Sequence, residues 1–163
     1  QKLNIMKDSR LGTYGAASLF LILALKFFSL LALASPIVAL IVAHTLSRVV
    51  ATSLIFDMPY VAEDATSKVK PLAQTLSNNS LKILLLTGAF VLFLSVEMTL
   101  AIVLIAILIV TRTVLKFWFT KQLGGYTGDC LGAAQQATEV VIYLSLIALS
   151  NQVSVDALIG SGW

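Results

Sequence analysis

The chain has 163 residues, of which 58% are hydrophobic and only 12% carry a formal charge. Soluble domains average about half apolar and a quarter charged residues, and so short a chain could not bury this much apolar surface in a core. The net charge of +3, with no basic run interleaved with aromatics, argues against nucleic-acid binding. The lone cysteine, Cys130, excludes an intrachain disulfide and a multi-cysteine metal site. Composition therefore indicates an integral membrane protein.

Five apolar segments follow one another along the chain and predict an all-α polytopic bundle that forms a single transmembrane domain over residues 1–163. Residues 81–119 are almost continuously apolar. One helix over that run would be roughly 60 Å long, about twice the thickness of the hydrocarbon core. We therefore place a turn at Ser95–Met98, around the acid Glu97. The predicted helices cover 14–34, 36–56, 80–94, 98–120 and 131–150, and residues 151–163 form a polar tail.

Five crossings place the N-terminus and the loops 57–79 and 121–130 on one side of the membrane, which we call side A. Side B, with the turns near Ser35 and Glu97, has no lysine or arginine. The cations near side A are Lys2, Lys7, Arg10, Lys68, Lys70, Lys82, Lys116 and Lys121. By the positive-inside rule, side A is the cytoplasmic face of the cell (inner) membrane.

Lys26, His44, Arg48, Arg112 and Glu139 lie inside the predicted helices, where each is costly in lipid and should face protein or a wet cavity. Arg48, Arg112 and Glu139 each lie eight residues from the side A end of a predicted helix, which is about 12 Å. We predict that they form an Arg–Glu–Arg cluster below a cytoplasmic cavity, with a purely structural ion pair as the alternative. For His44 we favour an interhelical hydrogen bond over metal ligation. For Lys26 the sequence suggests no role beyond a helix–helix contact.

The segment 5–15 places an acid, a hydroxyl and a cation just before the first helix. Asp8 offers hard oxygen ligands to a divalent cation, and Arg10 can bind a phosphate through two N–H groups. Ser9 adds a hydroxyl, and Gly12 permits close approach of a ligand. The alternative is a helix cap with a flanking cation.

A second segment, 123–132, contains four of the nine glycines and leads into the last helix. Glycine backbone at a helix N-terminus suits a phosphate group. The segment is not a Walker A loop or a dinucleotide fingerprint. Asp129 could instead cap the last helix, and the segment could be a tight interhelical turn. Both segments end on side A, a convergence that favours metal-assisted transfer of a phosphate-bearing group.

These two segments carry a family resemblance. The sequences IMKDSRLGTYG at 5–15 and LGGYTGDCLGA at 123–133 resemble two motifs of the cobalamin synthase family, the adenosylcobinamide-GDP ribazoletransferases, in the same order and at fitting separation. Glu139 stands where that family tends to carry a glutamate. The resemblance implies a membrane enzyme that transfers the phosphocobinamide part of adenosylcobinamide-GDP to α-ribazole or its 5′-phosphate, releases GMP and requires Mg²⁺.

Carried onto this chain, the resemblance makes Asp8 the metal ligand and Arg10 the contact to the diphosphate. Asp8, Arg10 and Asp129 are then the candidate catalytic residues. The resemblance and the intramembrane polar residues together give a candidate set of substrate-binding residues. Its members are Ser9, Gly12, Arg48, Gly124, Gly125, Thr127, Gly128 and Glu139. The expected partners are the two substrates and the lipid bilayer, and the sequence is compatible with a homo-oligomer.

Two expectations concern the completeness of the chain and its alternative function. The family carries an acid-rich metal motif before the segment that contains Asp8, and these 163 residues do not include it. We therefore expect the chain to be the C-terminal part of a longer enzyme that binds metal poorly and is inactive on its own. The alternative function is a small transporter or channel subunit in which the intramembrane ionisable residues form a polar pathway.

Overall fold

The computed structural model describes residues 12–61 and 77–160, with side chains up to residue 150. Five α-helices make up nearly all of this part of the chain. They are α1 (Thr13–Ala32), α2 (Pro36–Asp57), α3 (Asn78–Ser95), α4 (Met98–Leu123) and α5 (Gly128–Gly160). Each is long and apolar enough to cross a membrane. The predicted all-α membrane bundle is confirmed.

The helix boundaries follow local signals in the sequence. Pro36 occupies the first turn of α2, where its missing N–H leaves no hydrogen bond unmade. The Ser77 hydroxyl accepts a hydrogen bond from the Ser80 backbone N–H at 3.1 Å and caps α3. Val96 and Glu97 separate α3 from α4 as predicted, so the long apolar run does fold back.

The last helix differs from the prediction at both ends. It begins at Gly128 rather than 131 and continues to Gly160, through the segment expected to be a polar tail. No glycine or proline interrupts residues 133–159, so nothing in the backbone forces an earlier end. Gly128 and Gly132 are therefore helical, and the connection between α4 and α5 is much shorter than the predicted glycine-rich loop.

The second helix is the centre of the bundle. It packs chiefly against α5 and then against α3, while α1 contacts mainly α5. Half of its membrane span is buried, compared with 6% for α1. Small residues such as Ala39 and Ala43 allow close approach of the neighbouring helices, and Leu46 and Leu104 fill the space between them. The outer faces of the other helices are apolar and exposed, as expected for surfaces in contact with lipid.

Candidate functional site

Glycine-dependent geometry shapes the connection from α4 to α5. Gly124 ends α4 with a φ of 80°, in the left-handed region that glycine adopts at little cost. Its backbone N–H donates to the Thr120 carbonyl at 2.9 Å. Gly125 lies so close to the chain after α2 that a β-carbon would overlap the Pro59 carbonyl oxygen. These two glycines are required by the fold of the turn itself.

The same turn is bound to the segment that follows α2. The Tyr126 N–H donates to the Pro59 carbonyl at 3.0 Å, and the Val61 N–H donates to the Tyr126 carbonyl at 3.0 Å. The rings of Tyr60 and Tyr126 meet edge to face with centroids 5.5 Å apart. Burial raises the pKa of the Tyr126 phenol above its ordinary value, and Tyr60 adds to that shift. Two loops predicted to lie on one side of the membrane are thus in direct contact.

The residue that caps α5 is Thr127. Its hydroxyl oxygen accepts from the Cys130 N–H at 3.3 Å, and its carbonyl accepts from the Leu131 N–H at 3.2 Å. Asp129 therefore does not act as the cap. It lies exposed in the first turn of α5, where a negative charge favourably meets the helix dipole. Its carboxylate makes no hydrogen bond to the part of the chain that the structure describes.

A cluster of ionic contacts joins the ends of α2 and α4. Asp57 accepts from Arg112 Nη2 at 2.8 Å and from Lys116 Nζ at 2.7 Å. Arg112 also donates through Nε to the Ser53 hydroxyl at 2.8 Å and through Nη2 to the Ser53 carbonyl at 3.0 Å. We call Ser53, Asp57, Arg112 and Lys116 the outer cluster. Its carboxylate is bound by two cations and is poorly placed to hold a metal as well.

A second polar cluster lies deeper, where α1, α2 and α5 meet. Glu139 is 7% exposed, and its Oε2 is 2.6 Å from Lys26 Nζ. Its Oε1 accepts from the Ser47 hydroxyl at 3.3 Å and is 3.9 Å from His44 Nδ1. Ser47 precedes the end of α2 by ten residues, or about 15 Å. The cluster therefore lies near the middle of the span. We call it the inner cluster, and its members are Lys26, His44, Ser47, Gln135, Gln136 and Glu139.

The predicted Arg–Glu–Arg cluster is wrong. Glu139 pairs with Lys26, while Arg112 pairs with Asp57. Residue counting gives depth along a helix, but the partner depends on the direction in which each side chain points around its axis. Ser47 faces Glu139, and the next residue, Arg48, is rotated by about 100° and points elsewhere.

Other sequence-based expectations for polar residues have mixed outcomes. The helix–helix contact suggested for Lys26 is confirmed, and it joins α1 to α5. The interhelical hydrogen bond expected of His44 is not formed with any described residue: its Nδ1 lies 3.9 Å from the Glu139 oxygen, and the side chain is 59% exposed. Arg48 is exposed in a groove between α2 and α3.

The first sequence motif falls largely outside the described residues. Asp8, Ser9 and Arg10 are among the residues that the structure does not describe. Gly12 is described and precedes α1, where its carbonyl accepts from the Ala16 N–H at 3.0 Å. A β-carbon there would meet no atom within 4 Å, so the fold of the described residues imposes no steric need for glycine at this position.

Sequence reasoning overlooked three partners in these clusters. Asp57, Lys116 and Ser47 were not singled out, although each completes an ionic or hydrogen-bonded contact. A usable signal existed for the outer cluster: Arg112 and Lys116 are four residues apart and share one helix face. For Ser47 there was none, since helical serines commonly bond to their own backbone.

The described residues do not by themselves form a magnesium site. No group of three histidine, cysteine, aspartate or glutamate side chains comes together among them. Asp57 and Glu139 are already bound by cations, which leaves Asp129 as the carboxylate nearest the α4–α5 turn. A complete site would need carboxylates such as Asp8 from outside the described ranges.

The fold and the two clusters define a class: a polytopic membrane protein with ionisable residues buried inside its bundle and a glycine-shaped turn at one end. Sequence comparison identifies the group within that class. The profile of the cobalamin-5-phosphate synthase family matches residues 1–147, and the chain belongs to that family.

Named relatives are similar over nearly the whole chain. A protein of Shewanella piezotolerans named adenosylcobinamide-GDP ribazoletransferase is 52% identical over 99% of this chain and 60% of its own length. Proteins of the same name from Vibrio parahaemolyticus and Shewanella frigidimarina are 48% and 55% identical, over 94% and 91% of this chain and 58% of each relative. The chain thus spans about 60% of these relatives' length. No solved structure matches it.

Proposed function

We propose that the chain forms part of a membrane-bound transferase that joins adenosylcobinamide-GDP to α-ribazole or its 5′-phosphate. The observation that carries the proposal is the match to the family over residues 1–147, together with relatives that bear the name of this activity. No observation on the described residues favours the transporter alternative.

The proposed reaction is a phosphoryl transfer at the diphosphate. A hydroxyl of the ribazole attacks the phosphorus that carries the cobinamide, the P–O bond to the guanosine phosphate breaks, and GMP leaves. The hydroxyl proton is released, so atoms and charges balance. Positioning and charge stabilisation contribute most of the catalysis in reactions of this type.

The chain's residues divide between binding and catalysis. We propose that Asp8, Arg10 and Asp129 act at the reacting phosphates. Asp129 is supported by its exposed position at the start of α5, where its side chain makes no hydrogen bond or ion pair with the described residues. Gly124, Gly125 and Thr127 shape the adjacent turn, which brings the chain after α2 beside the N-terminus of α5. The backbone N–H groups of Gly128 and Asp129 at that terminus suit a phosphate oxygen.

Two further elements belong to the proposal. Mg²⁺, when bound, would offset the charge of the diphosphate, with Asp8 as a ligand. The active face would be cytoplasmic and the protein would lie in the inner membrane, as the one-sided distribution of lysine and arginine suggests.

The test measures GMP release by the complete gene product, purified in nanodiscs, from adenosylcobinamide-GDP, α-ribazole and Mg²⁺. We expect turnover, and we expect Asp8→Asn or Arg10→Ala to lower it by about 10²–10³-fold, the usual cost of removing one charge-stabilising contact. Chelation with EDTA should abolish turnover, and added Mg²⁺ should restore it.

The matched control is Glu97→Gln, the same loss of a carboxylate at the opposite end of the bundle. It should leave turnover unchanged. A well-folded complete protein without turnover would contradict the transferase proposal. Normal turnover in Asp8→Asn would contradict only the assignment of that residue.

A further inference from the structure

A groove between α2 and α3 carries polar side chains on an otherwise apolar outer surface. Its volume is about 440 Å³, within the range of about 300–1,000 Å³ typical of small-molecule sites. The polar lining consists of His44, Thr45 and Arg48 from α2, and Ser80 and Thr87 from α3. None of the described residues that line the groove is acidic, so none of them neutralises the charge of Arg48.

Arg48 is not committed to any contact inside the bundle. It makes no hydrogen bond or ion pair with residues 12–61 or 77–150, and neither does the hydroxyl of Thr45. Arg48 precedes the end of α2 by nine residues, or about 14 Å. A guanidinium at that depth is costly unless an anion or a wet cavity accompanies it. Its planar set of N–H donors matches two oxygens of one phosphate.

The groove lies beside the inner cluster. His44 lines the groove, and its Nδ1 is also 3.9 Å from Glu139, which binds Lys26 of α1. At its other end the groove reaches Ser80, in the first turn of α3. The groove therefore extends to the end of the bundle where α3 begins.

We propose that this groove binds a phosphate-bearing ligand and that Arg48 is the residue that holds the phosphate. Thr45 adds a hydroxyl beside it, and the aliphatic residues of the groove contact the remainder of the ligand. Two sources supply the same chemistry: the diphosphate of a nucleotide, or the headgroup of an anionic phospholipid. Identification of the ligand as a nucleotide diphosphate rests on the proposed function, whereas identification as a lipid headgroup does not.

The test compares two probes on the purified complete gene product. Calorimetry measures GDP binding in nanodiscs of phosphatidylcholine, and native mass spectrometry measures phosphatidylglycerol retained from a mixed detergent–lipid solution. Arg48→Gln should weaken binding of at least one probe by about tenfold or more, the usual effect of losing a charged hydrogen bond. The control is Lys82→Gln, which removes an exposed cation of α3 that does not line the groove. It should change either affinity by less than about threefold, as expected for an exposed charge.

Each outcome bears on the proposal. Loss of GDP affinity identifies the nucleotide diphosphate, and loss of phosphatidylglycerol alone identifies a lipid headgroup. If neither probe depends on Arg48, the proposal is overturned. Arg48→Lys keeps the charge but loses the planar donors, so it should bind more weakly than the wild type. If Arg48→Gln does not fold, a folded Arg48→Lys that binds both probes normally overturns the proposal. Absence of turnover with Arg48-dependent GDP binding would count against the transferase and not against the site.

Discussion

At the scale of single residues, the glycines of the 123–132 segment have different roles. Gly124 is needed for its left-handed backbone, and Gly125 for the close approach of the Pro59 carbonyl. Gly128 and Gly132 lie in α5, where a β-carbon would meet no atom within 4 Å. The motif therefore combines two glycines that the turn requires with two that the described fold does not.

The first prediction follows from this contrast. Gly125→Ala forces the turn away from Pro59 and should destabilise the protein by about 1–3 kcal/mol, the cost of overpacking. Gly132→Ala is the matched control and should be neutral or stabilise by up to about 1 kcal/mol, because alanine favours the helix. Thermal unfolding in detergent measures both. Equal melting temperatures for the two variants would show that the close contact at Gly125 is absent.

At the scale of elements, α1 depends on few contacts. Ser29 is the buried residue of this helix, and Lys26 provides its ionic contact to α5. The Lys26 and Glu139 side chains are only 14% and 10% exposed, so each would be an uncompensated buried charge without the other. The pair therefore helps to hold α1 against α5.

A double-mutant cycle tests this pairing. Lys26→Met and Glu139→Gln should each destabilise the protein, while the double variant should lose less than the sum, with a coupling of about 1–3 kcal/mol. The exposed pair Asp57–Lys116 serves as control and should give about 1 kcal/mol or less. The measurement is unfolding in mixed micelles with increasing SDS. Additive effects at Lys26 and Glu139 would mean that the pair does not hold α1 in place.

At the scale of the whole molecule, five crossings and the distribution of cations predict an orientation. The contact between Tyr126 and the Pro59 carbonyl supports a shared side for the two connections that follow α2 and α4. Glu97, between α3 and α4, should lie on the other side.

Accessibility of introduced cysteines tests the orientation, in a variant whose buried Cys130 is replaced by alanine. Cysteines at the exposed positions Asn79 and Lys121 should react with an impermeant reagent from the cytoplasmic side, and those at Ser35 and Glu97 from the opposite side. Labelling of Asn79→Cys and Lys121→Cys from opposite sides would refute the five-crossing arrangement. A complete inversion of the pattern would refute only the orientation.

The sequence alone determined the number of helices in the described part of this protein and their approximate positions. Each apolar segment had to span a hydrocarbon layer of fixed thickness, so length located the turn near Glu97, and the proline at 36 marked a helix start. The two motifs were sufficient to indicate the family. These features depend on residues that are close together in the sequence and on the fixed thickness of the hydrocarbon layer. Both can therefore be used without knowledge of the tertiary structure.

Only the tertiary structure decided which charges meet. Arg48 and Arg112 were the predicted partners of Glu139, and its pairing with Lys26 instead depends on how α1, α2 and α5 are rotated against one another. That rotation is set by small residues such as Ala43, which lie between the helices far apart in sequence. The same packing left Arg48 in the groove between α2 and α3 and brought Gly125 against Pro59. Neither position can be derived from depth along a single helix.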